Sequence, residues 1–317
     1  MPAMENRTLV TEFILWDFTD NRRVEILLFT ILFGTYLLTI LGNMVIIMIT
    51  LLNPKLYTPM YFFLRHFAVL EVGFTTTVIP KALANLAVGQ KNISVLACFM
   101  QVYLYLVLGA TESLLLAVMS IDRYVAICNP LHYATIMNSR TCSLLVLSSW
   151  AGGILLMMAP TLALFQLSFC GPNAIDHFFC DIGPLIKLAC MDTSVLELMF
   201  LLIVTLCIFG PLAVNVVSFI NIISTIICIP STAGRQKAFS TCASHFIVIS
   251  ISYGSCIFMY VKPKGTSELD FSKGVALLNT VVSPLLNPYI YCLRNKQFQD
   301  ALRAGFRQSV VFCKSPR

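Results

Sequence analysis

The chain has 317 residues, of which 58% are hydrophobic and only 11% charged, with a formal net charge of +6. Its mean hydropathy is +0.83. That leaves too little polar surface to cover a water-soluble globule of this size, so the composition excludes a soluble enzyme or soluble binding domain and makes lipid the main solvent.

A helix that crosses about 30 Å of hydrocarbon needs roughly 20 mostly apolar residues. Seven runs of that kind occur, predicted as helices over 24–51, 59–87, 96–127, 141–166, 196–229, 236–260 and 268–292. The expected fold class is therefore an all-α membrane protein, a seven-transmembrane helix bundle. Residues 1–23 mix Glu5, Arg7, Glu12, Asp17, Asp20, Arg22 and Arg23 without an apolar core, so they read as a tail and not as a cleavable signal. The domain expectation is an extracellular tail over 1–23, the helix bundle over 24–293, and a cytoplasmic amphipathic helix and tail over 294–317.

Orientation follows from the flanking charges. One side carries twelve Lys and Arg against Asp122 and Asp300, whereas the other carries nine against eleven acids. The positive-inside rule then places the N-terminus outside and the C-terminus in the cytosol. The positive net charge is thus a topology signal and gives no reason to expect nucleic acid.

Asn6, in N-R-T, is an acceptor for glycosylation on the outer tail, and Asn92, in N-I-S, lies hard against the third span. Of twelve cysteines, Cys98, Cys170, Cys180 and Cys190 fall on the outer, oxidising side, where three pairings are open. Cys313 is a lone juxtamembrane candidate for palmitoylation. Beyond the seventh span, Phe298, Ala301, Leu302, Gly305 and Phe306 form an apolar stripe with Lys296, Arg303 and Arg307 off it, which predicts a short amphipathic helix on the inner leaflet.

Four stretches carry a more specific signal: PMYFFL (59–64), SIDRYVAICNPLHY (120–133), KAFSTCASH (237–245) and PLLNPYIYCLRN (284–295). In this order, and across nearly the whole chain, they resemble the signatures of vertebrate olfactory receptors, a branch of the rhodopsin-like (class A) G-protein-coupled receptors. Tyr253, with no proline in the sixth span, fits the same branch. Three departures stand out: Ser120-Ile121 before Asp122, Glu71 in place of the usual aspartate, and Phe219 in place of a tyrosine. Phe219 has no hydroxyl to offer Arg123 in an active form.

The resemblance implies disulfides pairing Cys98 with Cys180 and Cys170 with Cys190, fastening the long loop 167–195 as a lid. It implies a switch made of Asp122, Arg123, Tyr124, Pro130, Arg235, Lys237, Asn287, Pro288 and Tyr291. In the resting state Arg123 would pair with Asp122 and with polar groups of the sixth span; its release would open a cavity for a stimulatory, olfactory-type heterotrimeric G protein that raises cyclic AMP. For Glu71 and Glu112 two readings stand: neutral carboxyls hydrogen-bonded to neighbours, or, as the resemblance implies, a polar hub with Asn43, Ser113 and Asn287 that holds a sodium ion. No other cofactor is expected.

Helical spacing picks shared faces near the outer third of the bundle, Tyr105, Leu106, Gly109 and Ala110 on the third span, Phe200, Ile203, Val204 and Cys207 on the fifth, and Tyr253, Cys256 and Tyr260 on the sixth, and the resemblance implies that they are the ligand walls. This set is apolar with tyrosine hydroxyls and contains no acid. It suits a small, mostly hydrophobic volatile molecule with one polar handle and disfavours a cationic amine. The expected site of action is the plasma membrane of olfactory cilia. A class A receptor for another small lipophilic ligand is the nearest alternative. A transporter lacks the expected internal repeats, a retinal-linked protein would need a lysine midway along the last span, and no H-E-x-x-H or G-x-S-x-G supports an intramembrane enzyme.

Overall fold

The computed structural model describes residues 10–16, 21–169, 173–260, 273–274, 276–293 and 297–304, apart from the side chains at 237, 241, 258–260 and 291–293. Among the described residues six helices are long and apolar enough to cross a membrane: α1 (Arg22–Leu52), α2 (Pro59–Val88), α3 (Val95–Cys128), α4 (Ser139–Phe165), α5 (Ser194–Cys228) and α6 (Thr232–Tyr260). The seventh, α7, combines a π-helical turn, Leu278–Val282, with Ser283–Leu293. The first six start and end within a few residues of the predicted spans, and α7 ends one residue from the predicted 292; residues 268–272, where the predicted seventh span begins, lie outside the described residues.

Local chemistry sets the boundaries. Asn21, Ser94 and Asn138 each accept a backbone N–H in the first turn of α1, α3 and α4. α2 begins on Pro59 and stops at Gly89, whose φ of 69° is open to glycine without a Cβ penalty. Leu41, Leu52, Leu147, Leu155, Leu202 and Ile227 point outward and are exposed, as a lipid-facing surface requires.

α3 runs through the centre and packs against α2, α4 and α5. One contact there depends on glycine: a Cβ on Gly153 would collide with Thr111 Oγ1 and lie 2.9 Å from the Val107 carbonyl. The main core lies toward the Arg123 end of the bundle, where Tyr61, Phe63, Phe67, Leu115 and Phe298 cluster. Phe298 and Ala301, on the helical segment 297–304, are buried in that cluster. The stripe expected to lie on the inner leaflet therefore faces the bundle at these two positions.

The far end carries a feature the periodicity did not reveal. Residues Glu12–Leu15 form a strand, β1, that pairs antiparallel with β2 (Asn92–Ser94) and parallel with β3 (Ala174–Ile175). Phe13 and Leu15 are fully buried beneath it. At least this part of the expected tail is built into the bundle's cap.

Candidate functional site

The lid is the segment after α4. Cys98 on α3 is disulfide-bonded to Cys180. Cys190 is also disulfide-bonded; Cys170, its expected partner, lies outside the described residues. Gln101 reinforces the first staple by accepting the Cys180 N–H at 2.9 Å while donating to the Thr77 carbonyl on α2 at 2.8 Å. Next to it, Phe178 and Phe179 are buried against Val78 and Ile79, and the Phe179 ring lies 5.0 Å from Tyr105. Lys273, five residues before α7, pairs with Asp176 at 2.7 Å. His177 is buried between these groups. Desolvation first and the Lys273 cation second push its pKa down to about 4.

Below the lid lies a cavity of about 100 Å³. Tyr105, Leu106, Gly109, Ala110, Val204, Cys207, Tyr253 and Cys256, all expected from helical spacing, line it. Phe200 and Ile203 do not: they pack against the cluster under the lid that includes Cys98, Leu196 and Cys207. The side chain of Tyr260 lies outside the described residues. Helical spacing picks a stripe on α5, but the packing of α5 on α3 turns its Val204, Cys207 and Ile208 edge inward and Phe200 and Ile203 away.

Several lining groups were not foreseen. Phe74 stacks on Tyr105 at 4.8 Å, and Met157, Leu116 and Ile208 complete the apolar wall. The π-helical turn brings Asn279 and Ser283 onto the cavity face of α7. Ser252 donates to Glu112 Oε1 at 3.4 Å, and Ser255 donates to Asn279 Oδ1. The buried Ser283 Oγ has no hydrogen-bond partner among the described residues. Glu112 itself lines the cavity, which corrects the expectation of an acid-free pocket.

The expected polar hub divides in two. Asn287 Nδ2 donates to Glu71 Oε1, while Glu71 Oε2 and Asn287 Oδ1 are buried acceptors without a hydrogen-bond donor among the described residues. Asn43 turns back on its own helix, donating to Thr39 O at 3.0 Å. Ser113 belongs elsewhere: its hydroxyl donates to Cys207 O at 2.7 Å and lies 2.9 Å from Tyr253 Oη. Glu112 and Ser113 are thus cavity groups.

From Ser113 a buried chain of polar side chains runs toward the Arg123 end. Asn215 Nδ2 donates to Tyr253 Oη at 3.2 Å, Ser120 Oγ donates to Asn215 Oδ1, and His245 Nε2 lies 2.9 Å from Ser120 Oγ. Ser120 has one proton, which goes to Asn215, so its oxygen accepts from an Nε2–H of His245. The chain links α3, α5 and α6. Ser113 and Ser120 are seven residues apart, two turns on one face of α3.

One turn past Ser120, Arg123 donates through Nε to Asp122 Oδ2 at 3.0 Å, with a second contact from its Nη2. Asp122 Oδ1 accepts the Tyr133 hydroxyl at 2.7 Å. Burial first and the adjacent carboxylate second hold that phenol well above its ordinary pKa. Among the described residues Arg123 bonds no polar group of α6, contrary to expectation; the third member of this hydrogen-bonded set is Tyr133 of the P-L-H-Y stretch. Phe219 packs edge-on to Phe246 at 5.2 Å and lies 5.9 Å from His245, filling a site where it offers only apolar contact.

The other expected switch residues scatter around this point. Tyr124 packs on the cluster of Ile222, Ile226 and Cys242. Pro130 opens a short 3-10 turn, Pro130–His132. Arg235 is exposed and donates to Ile229 O at the end of α5, at 3.2 Å. Pro288 lies against Gly42 of α1. The Lys237 and Tyr291 side chains lie outside the described residues, as do Asn6 and Cys313. Asn92 is exposed in β2, its amide donating to Glu12 Oε2 at 3.0 Å.

Comparison with known proteins gives a consistent answer. The family model described as olfactory receptor matches residues 32–308. Human "Olfactory receptor 6C74" is 52% identical over 309 residues, covering 98% of this chain and 99% of that protein. Mouse "Olfactory receptor 6E1" is 54% identical over 301 residues, covering 95% and 96%. The crystal structure of squid rhodopsin superposes with a TM-score of 0.68 at 16% identity, over 93% of this chain and 89% of that one, a likeness of fold.

Proposed function

Because this chain belongs to the olfactory receptor family, a multi-pass membrane protein of rhodopsin-like fold and no enzyme, we propose that its cavity receives a small, mostly hydrophobic volatile molecule and that occupancy activates a stimulatory heterotrimeric G protein, raising cyclic AMP. The observation that carries this reading is that Ser113 and Tyr253 belong to both the cavity wall and the polar chain that reaches His245 near Arg123. A ligand that reorders those two hydroxyls changes bonds shared by α3, α5 and α6. A dry engineered cavity of about 150 Å³ holds benzene; about 100 Å³ here favours a compact ligand. Its polar handle would meet Ser283, Ser252 or Glu112.

In this reading the lid end faces outward and the Arg123 end faces the cytosol, at the plasma membrane of olfactory cilia. The Asp122–Arg123–Tyr133 set holds the resting form. Moving such a switch from 1:99 to 99:1 takes roughly 5.5 kcal/mol of differential affinity for the open state. In the resting form Glu71 Oε2 and Asn287 Oδ1, two buried acceptors, are the oxygens that would hold a sodium ion; the ion would supply the positive charge this pocket otherwise draws only from amide protons.

The test is a cyclic AMP screen of cells that express the receptor with its G protein, run against a volatile panel. Arg123→Ala at equal surface level should lose the response. An undiminished response would refute the latch, and an N-terminal tag found in the cytosol would refute the orientation.

A further inference from the structure

A second cavity, of about 440 Å³, opens at the other end of the bundle, between the α1–α2 connection and the start of α4. It is larger than the one under the lid and shares no lining residue with it. Its walls are of two kinds. Leu56, Phe62, Met137 and Cys142 form an apolar side, whereas Thr58 and Ser139, with Arg65, present hydrogen-bond donors.

Arg65 is the informative residue. It lies six residues into α2, and Asp122 six residues before the end of α3, so both sit about 9 Å along their helices from this end of the bundle. A guanidinium at that depth is costly unless an anion meets it. Arg65 is half-buried, lies over the Phe62 ring at 5.3 Å, and makes no ion pair among the described residues. Asp122 is already engaged by Arg123 and Tyr133. Two exposed cations adjoin the opening in sequence: Lys55 precedes Leu56, and Arg140 follows Ser139.

We infer that this cavity is a binding site for the phosphorylated headgroup of an anionic membrane phospholipid, with Arg65 as its charge partner, Thr58 and Ser139 as hydroxyl donors, and the Phe62–Met137 wall against the first acyl carbons. The occupant is a lipid and not a soluble anion because the site combines cations with an apolar wall at the level where α2 and α4 enter the bilayer. Anionic lipids concentrate in the cytoplasmic leaflet, so the site agrees with, and rests on, the orientation proposed above.

The experiment uses the full-length receptor in nanodiscs, either of phosphatidylcholine alone or with a minority of phosphatidylinositol bisphosphate, and reads retained lipid by native mass spectrometry. Both faces are open in a nanodisc, so neither orientation nor signalling enters the result. Arg65→Gln should lower retention about fivefold, the effect of one basic residue near a membrane surface, and Arg65→Lys should restore most of it. Thr58→Phe is a second route: Thr58 makes no side-chain cap bond to α2, so this change fills the opening without removing a charge or a cap, and it should also reduce retention. Arg303→Gln, on the exposed side of the 297–304 segment, should leave retention at the parent level. Parent-like retention by both Arg65→Gln and Thr58→Phe would overturn the site, as would an equal loss from Arg303→Gln, which would mean diffuse attraction to the surface.

Discussion

Acid should loosen the lid through His177. The imidazole is 3% exposed, edge-on to Phe179 at 4.5 Å and stacked on Phe178 at 4.7 Å. Burial, and then the Lys273 ammonium, push its pKa down to about 4, against the smaller opposing effects of Asp176 and a backbone hydrogen bond at Phe179. The closed lid thus holds a neutral ring, whereas a released lid exposes one that protonates near the ordinary value of about 6.5. The stabilisation is complete above that ordinary value and is lost as pH falls toward 4. At about pH 5 the two values differ in proton occupancy enough to favour release by about 2 kcal/mol, near a thirtyfold change in the opening equilibrium. Hydrogen exchange of residues 173–190, corrected for intrinsic rates and read at about pH 7 and about pH 5, measures this on the purified receptor. His177→Phe keeps the ring contacts and removes the proton site, so its corrected exchange should barely change with pH. An identical pH response in parent and variant would refute the assignment.

Gly153→Ala forces α3 and α4 apart, because the added methyl meets Thr111 and the Val107 carbonyl; a cost of about 1–3 kcal/mol and a clear drop in surface expression are expected. Gly34→Ala, where nothing lies within 4 Å of the new methyl, is the control and should express like the parent. Tyr133→Phe strips one hydrogen bond from the buried Asp122, at a cost of about 1–3 kcal/mol to the resting arrangement. Basal cyclic AMP at matched surface level should rise, and an unchanged baseline would remove Tyr133 from the latch.

The helices were legible because twenty apolar residues in a row have one physical explanation, and the caps Asn21, Ser94 and Asn138 mark where that run starts. Strand β1 was not. Four residues, Glu12–Leu15, carry too short a pattern, and its partners lie about 80 and 160 residues away. Helical spacing grouped Tyr105, Gly109, Val204 and Tyr253 on faces that meet at one cavity, since a face is a property of one helix. Phe200 and Ile203 fall outside that cavity, and Glu112 and Ser113, which spacing did not select, line it, because the depth and rotation of a helix against its neighbours belong to the packing.

The polar chain was hidden for a related reason. Ser113, Ser120, Asn215 and His245 each read as one polar residue in an apolar span, a pattern that self-satisfied side chains share. Thr39 and Thr161, for example, bond only carbonyls of their own helices. What separates the two groups is whether another helix presents a polar atom at the same depth. Once three helices do so, each buried member depends on the others, and removing one leaves a desolvated donor or acceptor behind. In the function proposed above, a ligand hydroxyl that took over Ser113 or Tyr253 would compete with bonds to Cys207 and Asn215, and so would tie occupancy of the cavity to the hydrogen bonds of Ser120 and His245.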